Sequence, residues 1–195
     1  NFSLTVGALR AAKRANAVSK IHGVVSNEMW ANVENKCEII SITNAQNKKF
    51  WTDKTLVRAL DEHEDYELMA RKKHLKKILF DEVADQTGKM FDPEVFTIVW
   101  ARRFAEYKRP GLLKHDFERF IKLIENVDMP VQIIWAGKPY PTDFGAIAIF
   151  NELIHIGHQY ANIAVLVGYE LSLSRLLKQG SDLWLNTPRI TREAS

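Results

Sequence analysis

The sequence predicts an α/β fold, a parallel β-sheet with flanking helices preceded by a helical segment, and three observations predict it. Apolar runs at 95–100, 131–135, 163–167 and 183–185 are short and lack strict alternation, as strands covered on both faces do. The intervals 112–124, 144–160 and 171–179 between them carry helical composition, and strand–helix–strand order predicts right-handed crossovers between parallel strands. The 195 residues are 46% hydrophobic and 26% charged, enough for a buried core and unlike a disordered or disulfide-stapled chain.

Taken in order, residues 8–22 are Ala-rich, with Leu9, Ala12, Ala15, Val18 and Ile21 spaced by threes, which predicts a helix with one apolar face. The apolar piece 37–42 runs into the polar stretch 43–49, read as a loop where the chain crosses from one domain, residues 1–48, into another, residues 49–195. Residues 52–85 are strong helix formers, long enough for two helices. Their basic segment, Arg71, Lys72, Lys73, Lys76 and Lys77, reads as a solvated face. From Gly88 onward the pattern is that of a Rossmann-like half, in which ligands collect at the carboxyl ends of the strands. Residues 102–110, 137–143 and 186–195 occupy that position.

Lys and Arg exceed Asp and Glu by 27 − 24 = 3, too little to call for nucleic acid as partner. The one cysteine, Cys37, forms no internal disulfide and reads as a packing residue in a reducing, cytoplasmic compartment. No run approaches the roughly 18 apolar residues of a membrane span. Asn1-Phe2-Ser3 has no basic region leading into an apolar one and reads as a cut edge rather than a signal peptide. Neither GxGxxG nor GxxxxGK[ST] occurs, which disfavours the common nucleotide folds.

Arg102, Arg103, Lys108 and Arg109 crowd together after a predicted strand, around Glu106 and Tyr107. A phosphate dianion suits such a set, because guanidinium forks hold two oxygens and lysine adds a compact charge; surface cations on a loop fit the spacing equally well. Glu152, His155 and His158 at i, i+3 and i+6 give only a partial metal set, since the sixth position swings far around the helix. No metal site is assigned.

Read together, the segments ANAVSKIHG (15–23), ITNAQNKKFW (42–51), WARRFAEYKRP (100–110), IWAGKPYP (134–141), VGYELSLSRLLKQGSD (167–182) and LNTPRITREAS (185–195) resemble the glycogen/α-glucan phosphorylase family. These are glycosyltransferases of the GT-B fold that cleave α-1,4-glucans with inorganic phosphate. The words fall in family order over nearly the whole chain, EYKR and the terminal EAS being the most specific. The resemblance implies the end of an N-terminal GT-B domain followed by the first part of the C-terminal Rossmann-like domain.

Carried over, the resemblance implies that Arg103 and Lys108 hold the substrate phosphate. It places Arg102 and Tyr169 near the phosphate of a pyridoxal phosphate cofactor, and Tyr107 against the sugar. His22 matches the histidine whose backbone carbonyl meets the glucosyl 6-hydroxyl, and Asn44 a sugar-binding asparagine. Glu193, Ala194 and Ser195 match the word that binds the 3-hydroxyl. Ala45 to Lys49 depart from the family's usual continuation after Asn44, Gly168 replaces an asparagine, and the cofactor lysine would lie beyond Ser195. The implied function is glucosyl transfer from α-glucan to inorganic phosphate, giving glucose 1-phosphate. The alternatives are a nucleotide-sugar-dependent glucan synthase of the same fold, or a non-catalytic glucan-binding fragment. Neither nucleic acid nor membrane is expected as partner, and oligomerisation stays open.

Overall fold

A computed structural model describes residues 3–189. They form two compact units, one of residues 3–46 with Arg189 and one of Asn47–Pro188.

In the first unit α1 (Leu4–Ala11), β1 (Arg14–Ala17), α2 (Lys20–Met29) and β2 (Glu38–Ser41) alternate, and β1 pairs parallel with β2 in the register Arg14 to Glu38. The expected single helix over residues 8–22 is therefore corrected. A strand interrupts it, and the N-terminal unit contains a βαβ arrangement rather than being a helical segment. Two forces override the helical spacing of the alanines. The Arg14–Ala17 backbone gains a ladder to β2 and buries Ala17 to 1% exposure, and Ser19 restarts the helix as N-cap, its Oγ accepting from His22 N–H at 3.1 Å. Ile21, expected on the apolar stripe, is exposed.

The second unit opens with three helices, α3 (Lys48–Trp51), α4 (Lys54–Asp61) and α5 (Asp65–Thr87). Two helices are expected over residues 52–85, and α4 and α5 are that pair; α3, just before them, is one extra turn. His63 at φ +58° makes the turn between α4 and α5, and Arg58 spans it by binding the carboxylates of Glu62, Glu64 and Glu67. At the start of α4, Asp53 accepts from the N–H groups of Thr55 and Leu56 and takes both arms of Arg71 at 3.0 and 2.7 Å. Those Arg71 bonds hold its carboxyl below the ordinary aspartate range. The stabilisation is thus complete above the unfolded-state pKa and lost as pH falls through the lowered one. Acid titration of thermal stability checks this: Asp53→Asn should lower the neutral-pH melting temperature and flatten its fall on the acid side of pH 4 or so.

Four parallel strands follow, β3 (Phe96–Ala101), β4 (Val131–Ala136), β5 (Ile163–Leu166) and β6 (Leu183–Trp184), in the spatial order β5-β4-β3-β6. The four apolar runs expected as parallel neighbours are these strands. Between them lie α6 (Phe117–Ile124), α7 (Phe144–Gln159) and α8 (Leu171–Gly180). Alternate strand residues feed two cores. Val99, Ala101, Ile134, Ala136, Ala164 and Leu166 pack with α5 and α8, whereas Ile98, Trp100, Ile133, Trp135 and Ile163 pack with α6 and α7. β4 is buried along its whole length and β3 from Thr97 onward, which is why the central strands read as largely apolar runs without alternation.

The basic face of α5 is only partly solvated. Lys76 is 5% exposed and its ammonium donates to Val95 O at 2.7 Å and Asp182 Oδ2 at 2.6 Å. The same carboxylate accepts from Thr97 N–H at 2.8 Å, so one ion pair ties α5 to the amino ends of β3 and β6. Asp182→Ala strands that buried ammonium and should cost about 3 kcal/mol in a urea melt, more than Lys76→Met does.

Candidate functional site

The site is built at the carboxyl end of β3. There the chain leaves the sheet through the Ala101–Arg102 peptide, whose N–H donates to Ala136 O at 3.0 Å. Phe104, fully buried, sends its N–H to Lys138 O at 3.1 Å, so the loops after β3 and β4 run side by side. Gly137 allows that approach: its φ is +144°, and a Cβ there would stand 1.9 Å from Arg102 O.

The loop then coils into a short 3-10 turn, Glu106–Lys108, closed by Arg109 at φ +50°. Glu106 lies beside the first turn of α7, its Oε1 2.7 Å from where a Gly145 Cβ would be, where the helix dipole favours a carboxylate. Two indoles frame the turn. Trp135 Nε1 donates to Pro110 O at 3.0 Å, and Trp100 Nε1 donates to Thr187 Oγ1 at 3.0 Å. The Thr187 hydroxyl is itself placed against Lys108 O and Arg109 O. Arg109 is occupied structurally, its guanidinium donating to Thr187 O at 2.8 Å and Pro188 O at 2.9 Å.

Of the four loop cations, Arg102, Lys108 and Arg109 are half-buried and Arg103 alone is exposed. Arg102 is half-buried and donates to Asn186 Oδ1. Lys108 is half-buried with its ammonium 5.5 Å from the Tyr107 ring centre. Arg103 is exposed and makes no hydrogen bond or ion pair among the described residues. Tyr169, after β5, turns its hydroxyl onto Ala101 O at 3.1 Å, the carbonyl of the peptide from which this loop departs.

His22 and Asn44 lie in the first unit, at the carboxyl ends of β1 and β2. Val18 brings them together: its N–H donates to His22 Nδ1 at 3.2 Å and its carbonyl accepts from Asn44 N–H at 3.0 Å. Accepting at Nδ1 puts the proton of the neutral ring on Nε2, pointing away from the backbone. Gly23, next on α2, packs against Ser41, whose Oγ would lie 1.9 Å from an added Cβ. Glu193, Ala194 and Ser195 lie outside the described residues.

Among the described residues no three His, Cys, Asp or Glu side chains converge as metal ligands. Glu152 pairs with Lys114 at 2.5 Å, and His155 meets Gln159. No described helix is long and apolar enough to cross a membrane. Sequence reasoning did not single out Thr187, Gly137 and the two indoles as parts of the site. The tryptophans carried a signal, since a buried indole N–H requires an acceptor and each is the next-to-last residue of its strand.

Fold and site together define an α/β parallel-sheet protein with a guanidinium- and ammonium-bearing loop at the carboxyl end of a strand. No family model matches the chain. It is 50% identical over 194 residues to the uncharacterized protein MJ1631 of Methanocaldococcus jannaschii, covering 100% of this chain and 37% of that one. Over 235 residues it is 27% identical to the maltodextrin phosphorylase of Thermococcus litoralis, covering 100% of this chain and 28% of that enzyme. The glycogen phosphorylase of Aquifex aeolicus is 29% identical over 236 residues, 99% of this chain and 34% of its own length. The chain is thus distantly related to phosphorylases along its entire length, and it spans about a third of the curated relatives it matches.

Proposed function

We propose that this chain is part of an α-1,4-glucan phosphorylase that transfers a glucosyl unit from glucan to inorganic phosphate. The observation that carries the reading is the loop after β3, which gathers Arg102, Arg103 and Lys108 at the carboxyl end of a sheet strand and leaves Arg103 exposed there. The distant phosphorylase relationship supports it.

In this reading Arg103 and Lys108 bind the substrate phosphate. Their charge stabilises the phosphate while its proton passes to the glycosidic oxygen, the bond from that oxygen to the anomeric carbon breaks, and a phosphate oxygen bonds to the same carbon with retention. No carboxylate pair of the hydrolase kind is needed. Tyr107, His22, Asn44 and the Glu193-Ala194-Ser195 word orient the sugar. The half-buried Arg102 guanidinium suits the phosphate of pyridoxal phosphate by charge, and Tyr169 stands at the same strand end. When bound, that cofactor would supply a second phosphate as proton donor and acceptor beside the substrate's own. The domain reading goes with this proposal: residues 1–48 end an N-terminal GT-B domain and residues 49–195 begin the C-terminal one.

The test is product formation by the intact protein from maltodextrin, with and without phosphate. Phosphate-dependent glucose 1-phosphate is expected from the intact protein and none from residues 1–195 alone. Glucosyl transfer from a nucleotide sugar with none from phosphate would assign the protein to the synthases instead, and glucan binding without either reaction would leave a non-catalytic binding protein.

A further inference from the structure

We infer that Ser174 and Lys178 are positioning residues for the basic loop: with Tyr169 they form a one-way hydrogen-bond chain that pins the peptide from which the loop leaves the sheet. What the chain positions rests on the function proposed above; that it pins the peptide rests on geometry alone.

The direction of the chain follows from its head. A lysine ammonium only donates, and Lys178 Nζ donates to Ser174 Oγ at 2.6 Å. The serine hydroxyl donates onward to the Tyr169 hydroxyl at 3.2 Å, which donates to Ala101 O at 3.1 Å. Every proton along the chain therefore points toward β3, and linked donors of this kind polarise one another.

Its end point replaces a missing strand. On this edge of β3, Thr97 O accepts from Asp182 N–H at 2.9 Å and Val99 O from Leu185 N–H at 2.8 Å. The next carbonyl on the same edge is Ala101 O, where β6 has already ended. A phenol takes the place of the next ladder amide. Since Arg102 N–H is held by Ala136 O, both polar groups of the Ala101–Arg102 peptide are fixed, one from each side. Rotation of that peptide would swing Arg102 and Arg103 together, so fixing it fixes the take-off of the loop.

Lys178 is committed to this role by its surroundings. Its ammonium stands 4.1 Å from the Trp51 ring centre and 4.8 Å from that of Trp184, a setting that holds a cation without a carboxylate. Burial pushes its pKa down, and no carboxylate pairs with it among the described residues. A lysine that merely tied α8 to α3 and β6 would need only the two indoles. The hydroxyl contact is what links it to β3.

The experiment uses the intact protein, with amide hydrogen exchange of residues 100–105 and calorimetric titration with inorganic phosphate as readouts. Lys178→Met and Ser174→Ala should each speed exchange at Arg102 and weaken phosphate binding by about fivefold, the worth of one hydrogen bond. The double variant should match either single one, because the groups act in series. Lys178→Arg should restore both readouts, since a guanidinium stacks between indoles and reaches the same hydroxyl. Tyr169→Phe removes the hydroxyl that makes the last two links and should reproduce the effect if a helix variant fails to fold. Exchange that stays at the wild-type rate, or that rises evenly along β3 to β6 with phosphate affinity intact, overturns the inference and leaves the proposed function standing. A wild type that binds phosphate through the loop but makes no glucose 1-phosphate overturns the proposed function and leaves the inference standing. A wild type that binds no phosphate overturns the proposed function, and the exchange rate at Arg102 in the variants then decides the inference by itself.

Discussion

Arg103→Ala in the intact protein is expected to lower kcat/KM for phosphate-dependent glucosyl release by about two orders of magnitude or more. One charged contact to a transferring phosphate, lost in the transition state, costs about 3 kcal/mol. The effect should be confined to function. Arg103 is exposed and makes no hydrogen bond or ion pair among the described residues, so its removal leaves no buried partner stranded and the melting temperature should stay where it is. Lys49→Ala, an exposed cation at the start of α3, serves as the control and should cost far less. Equal losses for the two substitutions would mean that the loop contributes only general positive potential and would count against the phosphate-binding role. Steady-state kinetics at varied phosphate, alongside a thermal melt, decides it.

Gly137→Ala should be the more destructive change, damaging stability and activity together. The backbone at Gly137 has φ +144°, a conformation reserved for glycine that costs other residues about 1–3 kcal/mol. The added Cβ would stand 1.9 Å from Arg102 O and 3.0 Å from Arg102 C. That obstacle is backbone, so relief requires the loops after β3 and β4 to part. Separation would strain the Phe104 N–H bond to Lys138 O and disturb Phe104, which is 0% exposed against Trp100 and Phe150. A loss of more than about 3 kcal/mol in denaturant unfolding is expected, with phosphate affinity lost in whatever fraction still folds. By contrast Gly88 and Gly168, at φ +70° and +66°, have nothing within 4 Å of an added Cβ. Alanine at either meets only the conformational cost, and comparison with Gly137→Ala separates the clash from the strain.

The sheet was legible because burial on two faces leaves a mark in one dimension. Val131 to Ala136 is buried at every position, and no amphipathic helix or half-exposed strand produces such a run. The crossover helices were legible by the same reasoning, and with them the parallel direction. Residues 8–22 misled because alanine is permissive: its spacing suits a helix, but Arg14–Ala17 makes its ladder with Glu38–Ser41, partners more than twenty positions away that no local pattern reveals. Lys76 misled in the same way, since the Asp182 that lets it be buried comes from the far end of the unit.

The basic loop divides along that line. Composition and order alone determined that cations cluster after a buried strand, and that this strand belongs to a parallel sheet whose carboxyl end gathers its loops. Which cations face outward was decided only by tertiary structure. Arg109 and Arg103 are the same side chain six positions apart. One is drawn onto Thr187 O and Pro188 O by a left-handed turn, and the other stays in solvent. Likewise Tyr169, Ser174 and Lys178 reach the Ala101 carbonyl only because β6 stops short of it. The physical reason is common to all of these cases. Burial and hydrogen-bond period are properties of neighbours along the chain, whereas the pairing of a polar group is settled by whatever the fold brings within about 3 Å of it.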